Sequence, residues 1–329
     1  MGIASSQLRS HQLKQQTRKR FMKAIYYENY GGPEVLKYGD LPEPKVGPDS
    51  LLIELAASSV NPVDWKISAG YLDQILYSKF PIIPGWDAAG TVIAKGPAVR
   101  DFDEGDEVYG YIRLDFLHPG TFAERIAAPV RTVARKPKNL TFTEAGTVPL
   151  TGLTAYQGLV KALEVHEGET IFISAGAGGV GTFAIQIAKA LGLKVIASAS
   201  PQNHDFVRSL GAEAVSYGDA LIEAIRDIAP DGIDAFFDLS GGPDVQRPVE
   251  VLKDRSRVAS ITDATVNQRG GRYVFVQPSV EDLNTITALI EGGKIKPIIT
   301  ETYPLEDAAK AFESSMSGHA RGKIAIAIK

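Results

Sequence analysis

The chain of 329 residues is long enough for two domains that share a large buried surface. Its hydrophobic fraction of 44% and charged fraction of 22% are those of an ordinary soluble globular protein. A net charge of −4 argues against nucleic acid as the main partner, and no apolar run is long enough to span a bilayer. Cysteine is absent, which excludes disulfides, a thiolate nucleophile and every cysteine-containing zinc site.

The first 21 residues differ in composition from the rest of the chain. They contain five lysine and arginine residues and no acidic residue. Three interpretations remain open: a dispensable disordered tail, an organelle transit segment, and a lipid anchor that would use Gly2 and Ser6 of a myristoylation pattern. We favour the tail, with Met22 as the start of the folded part, and therefore predict a cytoplasmic protein. The other two interpretations predict an organellar or a peripheral membrane location.

Residues 22–146 carry the signals of short strands. Apolar runs such as 24–27 and 51–56 end at turns that are rich in glycine, proline and asparagine. Short strands joined in this way favour a partly closed β-barrel over a parallel sheet.

From Val148 onward, strand-like runs alternate with helical ones. The predicted strands are 171–174, 194–199, 214–217, 235–239, 257–262 and 272–277. This alternation is typical of βαβ units and predicts a doubly wound parallel sheet, the Rossmann arrangement.

The last part of the chain is predicted to return to the β-rich domain. After a helix at 281–291, strands are expected at 295–300 and 323–329. The predicted domains are therefore an α/β domain over 147–283, and a β-rich domain over 22–146 and 284–329.

A glycine-rich segment follows the first strand of the α/β domain. Gly176, Gly178 and Gly181 have the spacing G-x-G-x-x-G, and a helical pattern continues from them to Gly192. In this setting the first glycine permits a tight turn, the second lets the backbone approach a pyrophosphate, and the third lets helix and strand pack closely. Thr182 stands where a nucleoside triphosphate loop requires lysine, so the predicted ligand is a dinucleotide.

The end of the second strand indicates which dinucleotide is bound. Sites for NAD place a carboxylate there, about 20 residues beyond the glycines, to hold the ribose hydroxyls. Here residues 197–204 read ASASPQNH, and the first carboxylate is Asp205, inside the next predicted helix. Hydroxyl, amide and imidazole groups suit a 2′-phosphate, so the sequence predicts NADPH.

The sequence offers no motif for hydrolysis or for metal binding. It contains neither G-x-S-x-G nor H-E-x-x-H, and its five histidines are scattered singly. The active site is therefore expected in the cleft between the dinucleotide domain and the β-rich domain.

Several short motifs occur in order around the glycine segment. They are SVNPVD at 59–64, PGWDAAG at 84–90, FDEGDEVYG at 102–110, GTFAE at 120–124, LTGLTAY at 150–156 and GKI at 322–324. With these motifs, Met22 to Lys329 resembles the medium-chain dehydrogenases/reductases, specifically the zinc-free quinone oxidoreductase branch that includes zeta-crystallin. Zinc-dependent members carry Gly-His-Glu where this chain has Gly85, Trp86 and Asp87, so the resemblance implies that no metal is bound.

The resemblance implies a Rossmann NADP-binding domain and a GroES-like β-barrel catalytic domain, in a homodimer. It implies hydride transfer from NADPH to a small quinone or an α,β-unsaturated carbonyl compound, because conjugated acceptors do not need a Lewis acid. Two alternatives remain: an enoyl-thioester reductase, and a dinucleotide-binding structural or regulatory protein without turnover.

The candidate site residues fall into three groups. Lys66 and Tyr71 are candidates for the donor of a proton or hydrogen bond to the substrate oxygen. Trp86 and Phe275 are candidates for an apolar slot that holds a flat substrate. The candidate cofactor-binding residues are Asn61, Thr154, Gly176, Gly178, Gly179, Val180, Gly181, Ser198, Ser200, Asn203, His204, Tyr217 and Ser240.

Overall fold

The computed structural model describes residues 20–241 and 243–329. Most of the basic segment 1–21 therefore lies outside the described residues. Phe21 pairs with Pro42 in the first strand, so the folded part includes the residue just before the predicted start at Met22.

The described residues form fifteen strands and eight α-helices, which we number in chain order. The strands are β1 Phe21–Tyr26, β2 Lys37–Pro42, β3 Ser50–Val60, β4 Asp87–Lys95, β5 Glu107–Tyr111, β6 Arg125–Pro129, β7 Val133–Arg135, β8 Thr170–Ile173, β9 Lys194–Ser198, β10 Glu213–Val215, β11 Ala235–Asp238, β12 Val258–Ser260, β13 Arg272–Tyr273, β14 Ile299–Pro304 and β15 Lys323–Ala327. The helices are α1 Pro62–Ser68, α2 Phe142–Ala145, α3 Pro149–Tyr156, α4 Gly179–Ala190, α5 His204–Ser209, α6 Leu221–Ile228, α7 Val280–Glu291 and α8 Ala308–Met316.

The β-rich domain is built around β3. This strand of 11 residues is mostly apolar and almost all buried, and it pairs antiparallel with β4, β6 and β15. The sheet order is β14-β15-β3-β4-β5-β7, with β6 added on β3, while β1 and β2 form a separate hairpin. Because β15 lies directly beside β3, the C-terminal segment returns to this domain.

The α/β domain contains a six-stranded sheet in the order β10-β9-β8-β11-β12-β13, with all pairs parallel. This is the 3-2-1-4-5-6 strand order of the dinucleotide-binding fold, in which ligands lie beyond the carboxyl ends of the strands. The predicted doubly wound sheet is confirmed. Its last strand, β13, covers only two of the six residues predicted at 272–277.

Helix α7 joins the two domains. The predicted boundary between 283 and 284 falls inside this helix, and the strand predicted at 295–300 lies at 299–304 instead. The first turn of this helix forms hydrogen bonds with both domains. Asp282 accepts one from the Gln157 side chain of the α/β domain, and Leu283 O accepts one from the Tyr109 hydroxyl of β5. In the sequence, the apolar face of this helix does not indicate which of the two domains the helix packs against.

A buried carboxylate orders the carboxyl ends of the central parallel strands. Asp238, at the end of β11, is fully buried and accepts hydrogen bonds through both oxygens. One oxygen accepts from Ser174 Oγ after β8 and from the Ser240 N–H, each at 3.1 Å. The other accepts from Ser260 Oγ at 2.6 Å and Thr262 Oγ1 at 2.8 Å. These bonds fix the loops that face the crevice, and Ser240 is part of them.

We expect Asp238→Asn to lower the free energy of unfolding by about 2 kcal/mol. The substitution removes the charge that strengthens these hydrogen bonds, and it replaces one acceptor oxygen by an NH₂ group, which cannot accept from the groups that face it. Urea denaturation followed by circular dichroism measures the change. Asp205→Asn, at a highly exposed carboxylate of the same domain, is the matched control and should stay within about 0.5 kcal/mol of the parent. Equal stability of both variants would contradict this role of Asp238.

Candidate cofactor and substrate site

The glycine segment forms the turn between β8 and α4. A Cβ atom on Gly176 would lie 2.8 Å from Ala197 Cβ, and one on Gly181 would lie 2.3 Å from Ala175 O. These two glycines are therefore required by packing. A Cβ on Gly178 would meet only Ala175 O, at an ordinary 3.4 Å. A Cβ therefore has room at Gly178, and the first N–H groups of α4 have no partner within the helix, so the segment fits a pyrophosphate and hence a dinucleotide.

The β-rich domain contacts this segment directly. The Gly322 N–H donates to Ala177 O at 2.9 Å, and Gly178 and Gly322 form a β-bridge. Lys323, the next residue, begins β15, and its Cδ lies 3.2 Å from the position of a Cβ on Gly179. The two domains therefore meet at the proposed pyrophosphate position.

Beneath this junction lies a buried polar network around Asp87. One oxygen of Asp87 accepts from Ser59 Oγ at 2.6 Å and from Asn61 Nδ2 at 2.8 Å, and the other accepts from the Leu150 N–H at 2.7 Å. Lys323 Nζ lies 2.5 Å from Asn61 Oδ1 and 3.6 Å from Asp87 Oδ2. The amide of Asn61, a predicted cofactor contact, is therefore occupied at both ends by protein groups. It holds the segment before α1 in position.

Thr154 lies on α3, whose first turn contacts this network. Its hydroxyl donates to Leu150 O at 2.7 Å, and its side chain is almost fully buried. The structure thus brings Thr154 and Asn61 to the same buried region. Asp87 and Lys323, which connect the network, are the functional residues that the sequence-based list of site residues missed. Asp87 and Lys323 lie in motifs that are present in the sequence, but nothing in the sequence indicates that the two residues pair.

The predicted adenosine-phosphate residues gather at the carboxyl end of β9. Ser198 Oγ accepts from the Ala175 N–H at 3.3 Å, which ties this strand end to the glycine segment. Asn203 Nδ2 donates to Ser200 Oγ at 3.1 Å, and His204 Nε2 lies 3.4 Å from Ser216 Oγ. These hydroxyl, amide and imidazole groups are suitable partners for a phosphate.

Arg321 adds a cation at this end of the site that sequence reasoning did not find. It is exposed, and its guanidinium donates to Gln202 O at 3.5 Å. It was missed because it comes from the segment that precedes β15, far from β9 in the chain. A positive charge here favours a phosphate over a plain ribose hydroxyl.

The two candidate donors, Lys66 and Tyr71, lie on α1 and just beyond it. Lys66 Nζ is 5.5 Å from the centre of the neighbouring Trp65 ring, and the Tyr71 side chain is 72% exposed. Tyr217, a predicted adenosine contact, is also largely exposed. The structure therefore places Tyr71 and Tyr217 on the surface and leaves Lys66 half-buried, and the roles of all three stay predictions.

Tyr111 and Arg113 connect the two candidate substrate-pocket residues, Trp86 and Phe275. Neither Tyr111 nor Arg113 belongs to a motif identified in the sequence. Trp86 is buried and packs edge-on against Tyr111, with ring centres 5.9 Å apart. Arg113 Cζ lies 5.9 Å from the centre of the Tyr111 ring and 5.2 Å from that of Phe275. Trp86 comes from the β-rich domain and Phe275 from the α/β domain, so the group spans the boundary between them.

A cavity of about 480 Å³ lies elsewhere, at the amino ends of the parallel strands. It is lined by polar residues such as Thr170, Lys194 and Asp234. Doubly wound folds bind their ligands beyond the carboxyl ends of the strands, so this cavity is on the wrong side of the sheet for the cofactor.

Comparison with known proteins agrees with this arrangement. Two domain models match the chain: "Alcohol dehydrogenase GroES-like domain" over residues 47–138 and "Zinc-binding dehydrogenase" over residues 210–326. The NADPH-dependent alkenal/one oxidoreductase of Arabidopsis thaliana chloroplasts is 38% identical over 315 residues, which cover 93% of this chain and 79% of that protein. The chain belongs to the medium-chain dehydrogenase/reductase superfamily, in its zinc-free quinone oxidoreductase branch.

Two further relatives support this membership of the superfamily. The 2-methylene-furan-3-one reductase of Solanum lycopersicum is also 38% identical, with the same coverage of 93% of this chain and 79% of that protein. The structure of the quinone oxidoreductase from Coxiella burnetii superposes with a TM-score of 0.82 at 34% identity, over 94% of this chain and 100% of that one.

The name of one matched domain model raises the question of zinc, and the residues of this medium-chain reductase do not fit the metal. Within 20–241 and 243–329, no group of three or more histidine, cysteine, aspartate or glutamate side chains could hold an ion. Trp86 takes the place of a histidine ligand, and Asp87 is committed to three hydrogen bonds. The ammonium of Lys323 beside Asp87 would repel a dication.

Asp64 is the second buried carboxylate of the junction, and its pKa is strongly displaced. Its side chain accepts from the Asn61 N–H at 2.7 Å at the start of α1. Burial raises the pKa of Asp64 from 3.8 to about 7, the Asn61 N–H opposes the rise, and the charge of Asp87 adds to it. Lys323 opposes it, while burial lowers the pKa of Lys323 itself.

The raised pKa of Asp64 predicts a pH-dependent stability. Because the folded protein binds this proton more tightly than the unfolded chain, the stabilisation is complete below pH 4 and is lost as the pH rises through about 7. Asp64→Asn keeps an acceptor for the Asn61 N–H but cannot ionise. From pH 4 to pH 8, its free energy of unfolding should rise relative to that of the parent by at most about 4 kcal/mol. Parallel curves for Asp64→Asn and the parent would contradict the displaced pKa.

Proposed function

We propose that this protein is an NADPH-dependent, zinc-independent oxidoreductase that transfers hydride to quinones or α,β-unsaturated carbonyl compounds. The observation that carries the proposal is the junction itself: the glycine segment lies against Gly322 and Lys323, and the neighbouring donor set does not fit zinc. The names of the alkenal/one and quinone oxidoreductase relatives support the same chemistry.

The chemistry follows from what the site can and cannot supply. When bound, the nicotinamide supplies a hydride. Without a Lewis acid, the protein can assist only an acceptor whose own conjugation spreads the incoming negative charge onto an oxygen. The half-buried ring of Phe275 offers accessible apolar surface to a flat acceptor, Trp86 and Tyr111 form the buried aromatic layer of the same group, and the protein contributes orientation.

The test is oxidation of NADPH, followed by its absorbance, with small enones, enals and quinones. Turnover is expected, and dialysis against a metal chelator should not reduce it. Crotonyl thioesters in the same assay distinguish the alternative of an enoyl-thioester reductase. Tight NADPH binding without turnover of any acceptor would contradict the proposal and favour the structural or regulatory alternative.

Two glycine variants separate binding from packing. Gly178→Ala should fold with a loss of only about 0.5 kcal/mol, because its Cβ has room, but NADPH should bind at least about tenfold more weakly because the methyl group faces the pyrophosphate. Gly181→Ala should instead lower the melting temperature, since its Cβ would overlap Ala175 O. Fluorescence titration and thermal denaturation measure the two effects. Unchanged NADPH affinity in Gly178→Ala would place the cofactor elsewhere.

The preference for NADPH over NADH depends on the end of β9. Ser200→Asp keeps an acceptor for Asn203 Nδ2 and adds a negative charge where we place the 2′-phosphate. The ratio of NADPH to NADH affinity should fall by at least about tenfold, a change of about 1.4 kcal/mol. Ser200→Asn, of similar size and without the charge, is the control. A ratio that stays the same in both variants would contradict this placement.

The assembly and the location also belong to the proposal. We propose a homodimer, which light scattering of the full chain would test. We propose the cytoplasm as the compartment. Among the described residues, no helix has the length and apolar character that a membrane span requires. Fusion of residues 1–21 to a fluorescent protein would reveal organellar or membrane targeting, and the chloroplast named for the Arabidopsis relative is one compartment to examine.

A further inference from the structure

Arg113 occupies an unusual position at the boundary of the two domains. It follows β5 of the β-rich domain, yet its guanidinium carbon lies only 5.2 Å from the ring centre of Phe275, which follows β13 of the α/β domain. The centre of the Tyr111 ring is 5.9 Å from the same carbon. Two aromatic rings from different domains therefore hold the planar cation in one place.

No carboxylate among the described residues forms an ion pair with the guanidinium of Arg113. Its Nε atom is buried and has no hydrogen-bond partner among the described residues. The two buried carboxylates of this region, Asp87 and Asp64, are engaged instead with Lys323, Asn61 and backbone N–H groups. The side chain as a whole is only half-buried, and a cation with an unsatisfied buried donor gains from a ligand that supplies an oxygen to its guanidinium.

The neighbouring phenol is influenced by the same charge. Burial raises the pKa of Tyr111, and the Arg113 guanidinium opposes that rise. Arg113 thus favours negative charge on oxygen at this position. Other candidate donors are less well placed, because Tyr71 is exposed and Lys66 lies beside the Trp65 ring.

We propose that Arg113 binds the carbonyl oxygen of the acceptor and stabilises the negative charge that forms there; this inference rests on the proposed function. As hydride forms the new C–H bond at the β-carbon, the C=C π pair moves to the bond between the α-carbon and the carbonyl carbon. The C=O π pair moves onto oxygen, which becomes anionic. Arg113 keeps its proton. After the hydride has been transferred, water protonates the α-carbon, the C=O double bond re-forms and hydroxide is left, so the acceptor is reduced by two electrons and the hydride donor is oxidised by two.

The geometry also defines the substrate class. A flat conjugated acceptor can lie against the Phe275 ring with its oxygen towards the guanidinium, which offers its donors in one plane. An alkene without a carbonyl or other charge-accepting oxygen gains nothing from Arg113. The preferred acceptors are therefore enones, enals and quinones, rather than unactivated alkenes.

The kinetic test compares Arg113→Gln, Arg113→Lys and the control Arg131→Gln. Arg131 is an exposed arginine, with a side chain 59% accessible and an ion pair to Asp115 at 3.8 Å. For a neutral enone, Arg113→Gln should lower kcat about 100-fold, the usual effect of removing one oxyanion donor. Arg113→Lys should lie between that variant and the parent, and Arg131→Gln should stay within about twofold of the parent. NADPH affinity should not change in any of them, which separates the effect from a loss of the cofactor site.

An equilibrium measurement does not depend on turnover. A nitrophenolate is a flat anion that resembles the charged acceptor, and its binding to the complex with oxidised cofactor can be followed by absorbance as the pH is varied. The parent should bind the ionised phenol at least about tenfold more tightly than the neutral one, and Arg113→Gln should lose this preference.

The possible outcomes distinguish the two proposals. If Arg113→Gln keeps its kcat within about threefold of the parent and binds the phenolate equally well, the role of Arg113 is overturned. If the parent reduces no acceptor but binds the phenolate through Arg113, the anion site stands and the proposed function fails. If Arg113→Gln does not fold, the test uses Arg113→Lys. The proposal is then overturned if the kcat and the phenolate preference of Arg113→Lys equal those of the parent.

Discussion

The interaction on which the junction depends is the buried contact of Lys323 with Asn61 and Asp87. Lys323 begins the last strand of the β-rich domain, and the preceding residue, Gly322, bonds to the glycine segment of the α/β domain. Asp87 in turn accepts from the N–H of Leu150 in the first turn of α3. Lys323 itself contacts Asn61 and Asp87 of the β-rich domain, and the α/β domain is joined to this group through Asp87 and through the neighbouring Gly322.

Charges buried in this way are costly, and the network compensates them only because nearly every polar atom is used. Asp87 accepts three hydrogen bonds, and the amide of Asn61 is occupied on both sides. Such a pair contributes more to a defined geometry than to net stability, since apolar replacements often stabilise a protein as well. For an enzyme that must bring a hydride within reach of a carbon atom, defined geometry is the more useful property.

Much of this architecture is readable from the sequence, and the limits have physical reasons. Local patterns predicted the parallel sheet, the glycine turn and the return of the last strand, because each depends on a few adjacent residues. The predicted boundary at 283 falls inside α7, a helix that forms hydrogen bonds with both domains. The pairing of Asn61 with Lys323, 262 positions apart, has no local signal. Arg321 and Arg113 were missed for the same reason, since an arginine in a loop gives no indication of what it will meet.

The position of Lys323 in the chain has a consequence for how the protein is made. On the ribosome, the α/β domain emerges and can form its sheet while the β-rich domain still lacks β15, the strand that pairs with β3. Asp87 and Asn61 are then present without their cation. The cleft is thus completed only after the α/β domain has been synthesised, so a nascent or truncated chain that ends before Gly322 holds the glycine turn without the junction that gives it a partner.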